Sequence, residues 1–162
     1  MKIRNARHED IDALAALLEQ LFAIEIDFKI DAERHRRGIA MMIDGCGKHH
    51  CIKVAEGDDK VVVAMGSAQL LISTAEGNLV ALLEDIVVDA AWRGQGVGRK
   101  MVTALESWAL RRGVTRLQLL ADRTNVAALD FYNRIGWRPT RMICLRRRHQ
   151  NTQTQPSNDR IP

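Results

Sequence analysis

The sequence predicts an α/β chain of the α+β type, with a central mixed, mostly antiparallel β-sheet flanked by helices. The predicted order is β-α-α-β-β-β-α-β-α-β. Three observations predict it. Near the start, Ile11, Leu14, Leu17, Leu18, Leu21 and Phe22 recur at helical spacing on one face. In the middle, strand-like runs alternate with glycine turns, which is the pattern of antiparallel hairpins. Towards the end, strand, helix and strand follow one another, which makes the sheet mixed and places helices over its faces.

Each element has a local reason. Lys2 to Ala6 reads as a short strand, and His8-Glu9-Asp10 opens the first helix. A second helix begins after Asp31, runs through Ala40-Met41-Met42 and ends at Gly45 and Gly47. Cys51 to Glu56 is strand-like, and Gly57 to Lys60 is a turn. Val61 to Ser73 is a longer strand region interrupted at Gly66, Glu76-Gly77-Asn78 is a turn, and Leu79 to Asp89 is the next strand. A helix spans Val97 to Arg112 with Val97, Met101, Val102, Leu105, Trp108 and Ala109 inward, and Gly113 stops it. Arg116 to Ala121 is an apolar strand. Asn125 caps a last helix from Val126 to Ile135, which Gly136 closes. Trp137 to Arg147 is the final strand.

The chain has 162 residues, enough for one domain with a real core; residues 1–149 are assigned to it. The remainder, 150–162, is rich in Asn, Thr, Gln, Pro and Ser and is expected to be disordered. A net charge of +4 is mild. Arg138, Arg141, Arg146, Arg147 and Arg148 cluster late, but no aromatic-basic module accompanies them, so no nucleic-acid partner is expected. No apolar run approaches the roughly 18 residues that span a bilayer, so no membrane partner is expected. Cys46, Cys51 and Cys144 make no even framework, which fits a reducing, cytoplasmic setting. The stretch Cys46-Gly-Lys-His-His-Cys51 has no second ligand pair, and no metal is assigned to it.

The stretch richest in chemistry is Val88 to Lys100. An apolar strand runs into Arg93-Gly94-Gln95-Gly96-Val97-Gly98-Arg99, and this turn opens a helix. Small residues let backbone N–H groups approach a phosphate, and the helix N-terminus favours an anion. The spacing G-x-G-x-G, placed after a run of hairpins, is not the G-x-G-x-x-G of a dinucleotide fold. Lys100-Met101 lacks the hydroxyl of a triphosphate-binding P-loop.

Together these segments resemble the GNAT N-acetyltransferase superfamily. Arg93, Gly96 and Gly98 match its acetyl-CoA motif, [QR]-x-x-G-x-[GA]. Asn125, Ala128, Phe131, Tyr132, Gly136 and Trp137 match its later N-x-x-A-x-x-F-Y-x-x-x-G-[FW] pattern. The resemblance covers roughly residues 1 to 147, with Ala90 standing where many members carry proline. It implies an acyl-CoA-dependent transferase that moves an acetyl group from acetyl-CoA to a primary amine, with no metal. It implies that the backbone of Ile86, Val87 and Val88 pairs with the pantetheine arm. The N–H groups from Arg93 through Gly94, Gln95, Gly96 and Val97 to Gly98, with Arg99 beside them, would hold the pyrophosphate. Asn125 and Ala128 would border the same cofactor.

Acetyl transfer needs a neutral amine, a stabilised oxyanion and a proton for the departing thiolate. Tyr132, the one tyrosine, is protonated at neutral pH, and the resemblance puts it at the CoA sulfur. Glu84 and Asp85 interrupt an apolar strand. Adjacent strand residues point to opposite faces, so one is expected at the acceptor cleft and the other against a helix or partner. We favour Glu84 for the cleft. The N–H of Val87 or Val88 would meet the oxyanion. Phe22, Glu25 and Phe28, between the first two helices, are candidates for the acceptor, expected to be a small cationic amine, an amino sugar or an amino-acid derivative. The alternatives are a non-catalytic CoA-binding regulatory module and a protein lysine or N-terminal acetyltransferase. The final strand, as an edge, suggests a homodimer.

Overall fold

The structure, a computed structural model, describes residues 1–25 and 29–147. Among them, five strands form one sheet in the order β1-β2-β3-β4-β5. β1 (Lys2–Asn5), β2 (His50–Glu56), β3 (Val62–Ser73) and β4 (Asn78–Val88) pair antiparallel in chain order. β5 (Arg116–Leu119) joins β4 in parallel after the crossover helix α3 (Val97–Leu110). Helices α1 (Ile11–Phe22) and α2 (Ala32–Asp44) precede β2, and α4 (Val126–Arg134) follows β5.

Strand alternation divides the core into two faces. Ile52, Val54, Met65 and Val87 pack with Leu14, Leu17 and Leu18 of α1 and Ile39 of α2. Cys51, Ala68, Ala81 and Leu83 turn the other way, against Leu105, Trp108 and Ala109 of α3. Full burial of an aliphatic side chain such as Leu14 or Leu105 contributes about 1.5–3 kcal/mol. α1 and α2 therefore cover one side of the sheet and α3 the other. Two of the helices start at a side-chain cap. Asp31 caps α2 by accepting the Arg34 backbone N–H at 3.0 Å, and Asn125 caps α4 by accepting that of Ala128 at 3.1 Å.

The start of the chain is fastened by Arg4. Its guanidinium holds both oxygens of Asp10, at 2.7 and 2.8 Å, and Glu56 at 2.6 Å. The Arg4 hydrogen bond holds the Asp10 carboxyl below its usual range. This fastening is therefore present above the ordinary carboxylate range and is lost as pH falls below it.

Several sequence expectations need correction. The predicted final strand is not formed: residues 138–147 pair with nothing as a strand and are exposed throughout. Pro139 lacks an N–H for a ladder, and the charges of Arg138, Arg141, Arg146 and Arg147 face water. Met142, Ile143 and Leu145 stay 65–87% exposed. The strand on which the homodimer expectation rested is thus absent, and β1 and β5 are the sheet edges among the described residues. β3 is not interrupted at Gly66; the irregularity lies in β4, opposite it. The tail at 150–162 and Phe28 lie outside the described residues. No helix among the described residues is long and apolar enough to cross a membrane, and no group of three His, Cys, Asp or Glu there is placed to hold a metal.

Gly66 is where the sheet has no room. A methyl group there would lie 2.9 Å from Leu105 Cδ1 and 3.2 Å from Ile86 Cγ1. Leu105 is fully buried, so it cannot move aside cheaply. Gly66→Val is expected to destabilise the fold by about 1–3 kcal/mol through overpacking, measured as a lower urea midpoint at unchanged m-value.

Candidate active site

The site begins where β4 outruns its neighbour. The β4–β5 pairing covers Val80↔Arg116 to Leu83↔Leu119 and then stops, while β4 continues to Val88. From Glu84 onward, β4 has β3 on one side and an open edge on the other. Asp89 N–H donates to Val63 O at 2.9 Å. By antiparallel alternation, Val87 then faces β3, and Val88 turns its N–H and C=O to the open edge. The Val88 carbonyl accepts a hydrogen bond from Arg93 Nε at 2.9 Å.

A bulge sits at this point of departure. Ser67 pairs with Glu84 and Met65 with Val87, so Asp85 and Ile86 together oppose Gly66. Asp85 has a φ of 54°, a left-handed backbone that aspartate tolerates better than most side chains. The extra residue shifts the alternation. Glu84 shares the face of Ser67, its cross-strand partner, and Asp85 lines the same cavity as Ser67 and Gln69. Both carboxylates therefore look towards α1 and α2, where strict alternation predicts only one. Gln69 Nε2 donates to Glu84 Oε2 at 2.9 Å and fixes that side chain. Burial, then Glu84, then Glu25 push the Asp85 carboxyl up to about 6.

The glycine turn lies at the end of the open edge. Asp89 accepts the Ala91 N–H at 2.9 Å and the Gln20 amide at 2.9 Å, so the turn is anchored to α1. Gly94 and Gly96 have φ of 74° and 78°, and a methyl group on either would meet no protein atom within 4 Å. Backbone conformation, not crowding, calls for glycine there. Gly96 is the N-cap of α3, so no side chain covers the first N–H groups of the helix, and no acidic residue sits in its first turn. Gln95 folds its amide back onto Ala91 O, while Arg99 is exposed. Val97 is buried beneath the turn, and a methyl group on Gly98 would lie 3.4 Å from the Phe131 ring of α4.

α4 closes the other side. It has no fully buried residue; Ala128, Phe131 and Tyr132 form its half-buried face. The Tyr132 ring lies 5.1 Å from Phe131 and 6.2 Å from Trp137, both edge-on. Burial and then the Glu25 charge raise its phenol to about 12, so Tyr132 carries its proton at neutral pH. Glu25 thus acts on both Asp85 and Tyr132, which brings the end of α1, the β4 bulge and α4 into one electrostatic neighbourhood. Phe22 lines the cavity beside Asp85 and lies 5.0 Å from the His35 ring.

A profile of the acetyltransferase (GNAT) family matches residues 15–137. The chain belongs to this family. Thialysine N-epsilon-acetyltransferase of Mus musculus is 28% identical over 144 residues, covering 83% of this chain and 82% of that protein. Aminoalkylphosphonate N-acetyltransferase of Salmonella typhimurium is 26% identical over 137 residues, covering 85% and 84%. A putative acetyltransferase from Agrobacterium tumefaciens shares the fold at a TM-score of 0.76 and 23% identity, covering 91% of this chain and all of that one. The chain is accordingly an acyltransferase of the N-acetyltransferase kind, acting on an amine.

The folded GNAT chain brings further polar groups to Asp85. Ser67, Gln69, Arg34 and His35 line or border the cavity with Asp85, and no motif points to them. Ser67 and Gln69 recur every second residue of an otherwise apolar strand, which is the one signal available. The bulge itself was not legible, because the glycine that permits it lies on the neighbouring strand.

Ionised Asp85 is a cost to folding. Its folded pKa is raised, so stability falls as pH rises from the ordinary carboxylate range to about 6 and is level above that. Asp85→Asn is expected to be more stable than the parent at pH 8, by about 1–3 kcal/mol, with the gap closing towards pH 4. Paired thermal melts across that range measure it.

Proposed function

We propose that this chain transfers the acetyl group of acetyl-CoA to a small primary amine by direct attack, through a tetrahedral intermediate. The observation that carries the reading is the open edge of β4. It runs from an uncapped helix N-terminus at one end to the Asp85 bulge at the other, and the Glu25 charge acts on both Asp85 and Tyr132. A slot of that kind suits a long donor with an anionic end and a reactive end.

The N–H groups from Arg93 to Gly98 bind the pyrophosphate, aided by the α3 dipole and by Arg99. The open-edge backbone of Ile86 and Val88 pairs with the pantetheine amides, and Arg93, hydrogen-bonded to Val88 O, exchanges that contact on binding. Asn125 and Ala128 position α4 along the same donor. Glu25, Glu84 and Asp85 attract a protonated amine. Asp85 takes a proton from it, and a raised carboxyl does so more readily than an ordinary one. The neutral nitrogen attacks the thioester carbonyl, and the Ile86 N–H, at the Asp85 end of the edge and free when the Ile86 carbonyl and Val88 pair with the donor, stabilises the oxyanion. The carbon–sulfur bond then breaks as Tyr132 gives its proton to the sulfur, the attacking nitrogen loses its remaining extra proton to water, and solvent restores both residues. Glu84, held by Gln69, orients the incoming amine.

Two substitutions separate these roles. Tyr132→Phe is expected to lower turnover by about 10²–10⁴-fold with acetyl-CoA affinity unchanged; full turnover at saturating substrates would rule out the acid. Gly96→Asp puts a carboxylate against the pyrophosphate at a φ that aspartate tolerates. Calorimetry is expected to show CoA binding weakened by tenfold or more, on the order of one charge interaction, and unaltered affinity would remove the pyrophosphate from this turn.

A further inference from the structure

The cavity between the helices and the sheet has two unlike walls. Its volume is about 230 Å³, small for a ligand site. Ser67, Gln69 and Asp85 stand on the sheet wall, and Arg34 and His35 stand on the α2 wall, with apolar side chains such as Ile39, Ile52 and Met65 between. Acetyl transfer accounts for the sheet wall, where an amine meets a carboxylate. It does not account for the α2 wall.

His35 is only 9% exposed, and its Nδ1 finds no hydrogen-bond partner among the described residues. Arg34 has one side-chain contact there, with Asp31 at 3.5 Å, for a group with five N–H donors. Its neighbours differ: Arg36 meets Asp12 at 2.8 Å across the helix pair, and Arg37 meets Glu33 along α2. Of these arginines, Arg34 is the one that borders the cavity.

Resting on the proposed acetyl transfer, we infer that the acceptor is a short amine with an acidic group, a carboxylate or a phosphonate, at its far end. Arg34 reads the acid, and His35 supplies polar contact beside it. A guanidinium matches either acid with paired N–H···O bonds. The apolar middle of the cavity suits a methylene chain. A diamine of equal length places its second cation against Arg34, and an oligosaccharide amine exceeds the volume. Arg34 and Asp85 thus select the two ends of one zwitterion.

Arg34 suits mutation because the Asp31 cap bond at 3.0 Å comes from its backbone N–H, which a side-chain substitution leaves in place. The test uses the full chain with δ-aminovalerate, aminopropylphosphonate, cadaverine and kanamycin, read both by thiol release from acetyl-CoA and by calorimetric binding. The parent is expected to prefer the two acidic amines over cadaverine by about tenfold or more in kcat/KM, the value of one charge-assisted hydrogen bond. Arg34→Gln should raise KM for the acidic amines with kcat little changed, and Arg34→Glu should reverse the preference. Equal or better use of cadaverine by the parent, or an Arg34→Glu variant with the parental preference, overturns the inference and leaves acetyl transfer standing. Arg34-dependent binding of δ-aminovalerate without thiol release from any amine upholds the acid-reading wall and refutes acetyl transfer. Failure of the acidic amines to bind at all overturns the inference on its own.

Discussion

Where β4 passes Gly66, two residues stand against one, and the strand can no longer keep both neighbours. β3 holds it through Met65↔Val87 and Ala64↔Val88, while β5 is left behind at Leu119. The geometry of the site follows from this bulge. It releases the edge of Val88 for pairing with something other than the sheet. It turns Asp85 to the face already occupied by Glu84. It also aims the end of β4 at the turn from which α3 starts. A glycine is required opposite because Leu105 and Ile86 fill the space that a side chain would take.

The same place concentrates the local costs of the fold. Asp85 has a left-handed backbone in a strand, and its carboxyl is buried near two others. Gly94 and Gly96 are left-handed in an exposed turn, and the helix behind them has no side-chain cap. The left-handed aspartate, its buried carboxyl and the uncapped helix start are each unfavourable by themselves, and the rest of the structure over-determines them: Gln69 holds Glu84, Asp89 and Gln20 hold the turn, and two apolar layers hold the strand. Violations of local rules that cluster along one edge, in an otherwise consistent fold, mark a site rather than a defect.

The cavity under the first two helices is built differently. It depends on α1 and α2 lying over the sheet so that Phe22, Arg34, His35 and the bulge share one cavity. These residues come from three elements and carry no common spacing. Phe22 and Glu25, an aromatic and a carboxylate between the first two helices, are the residues on this side to which the sequence points. The electrical influence of Glu25 on both Asp85 and Tyr132 is a property of the folded chain.

Patterns local in the chain were legible in the amino-acid sequence. Helical spacing in α1 and α3, the Asp31 and Asn125 caps, the hairpins, the glycine turn and the family motifs all depend on residues a few positions apart. Local backbone physics decides those. The predicted last strand failed for the complementary reason. A strand exists only when another strand accepts its hydrogen bonds, and residues 138–147 have apolar side chains but no partner strand among the described residues. Tertiary structure alone decided where β5 stops, which way Asp85 points and which side chains face it across the cavity. Those depend on contacts between residues far apart in the chain, such as Gly66 with Leu105 and Ile86, and no short pattern records them.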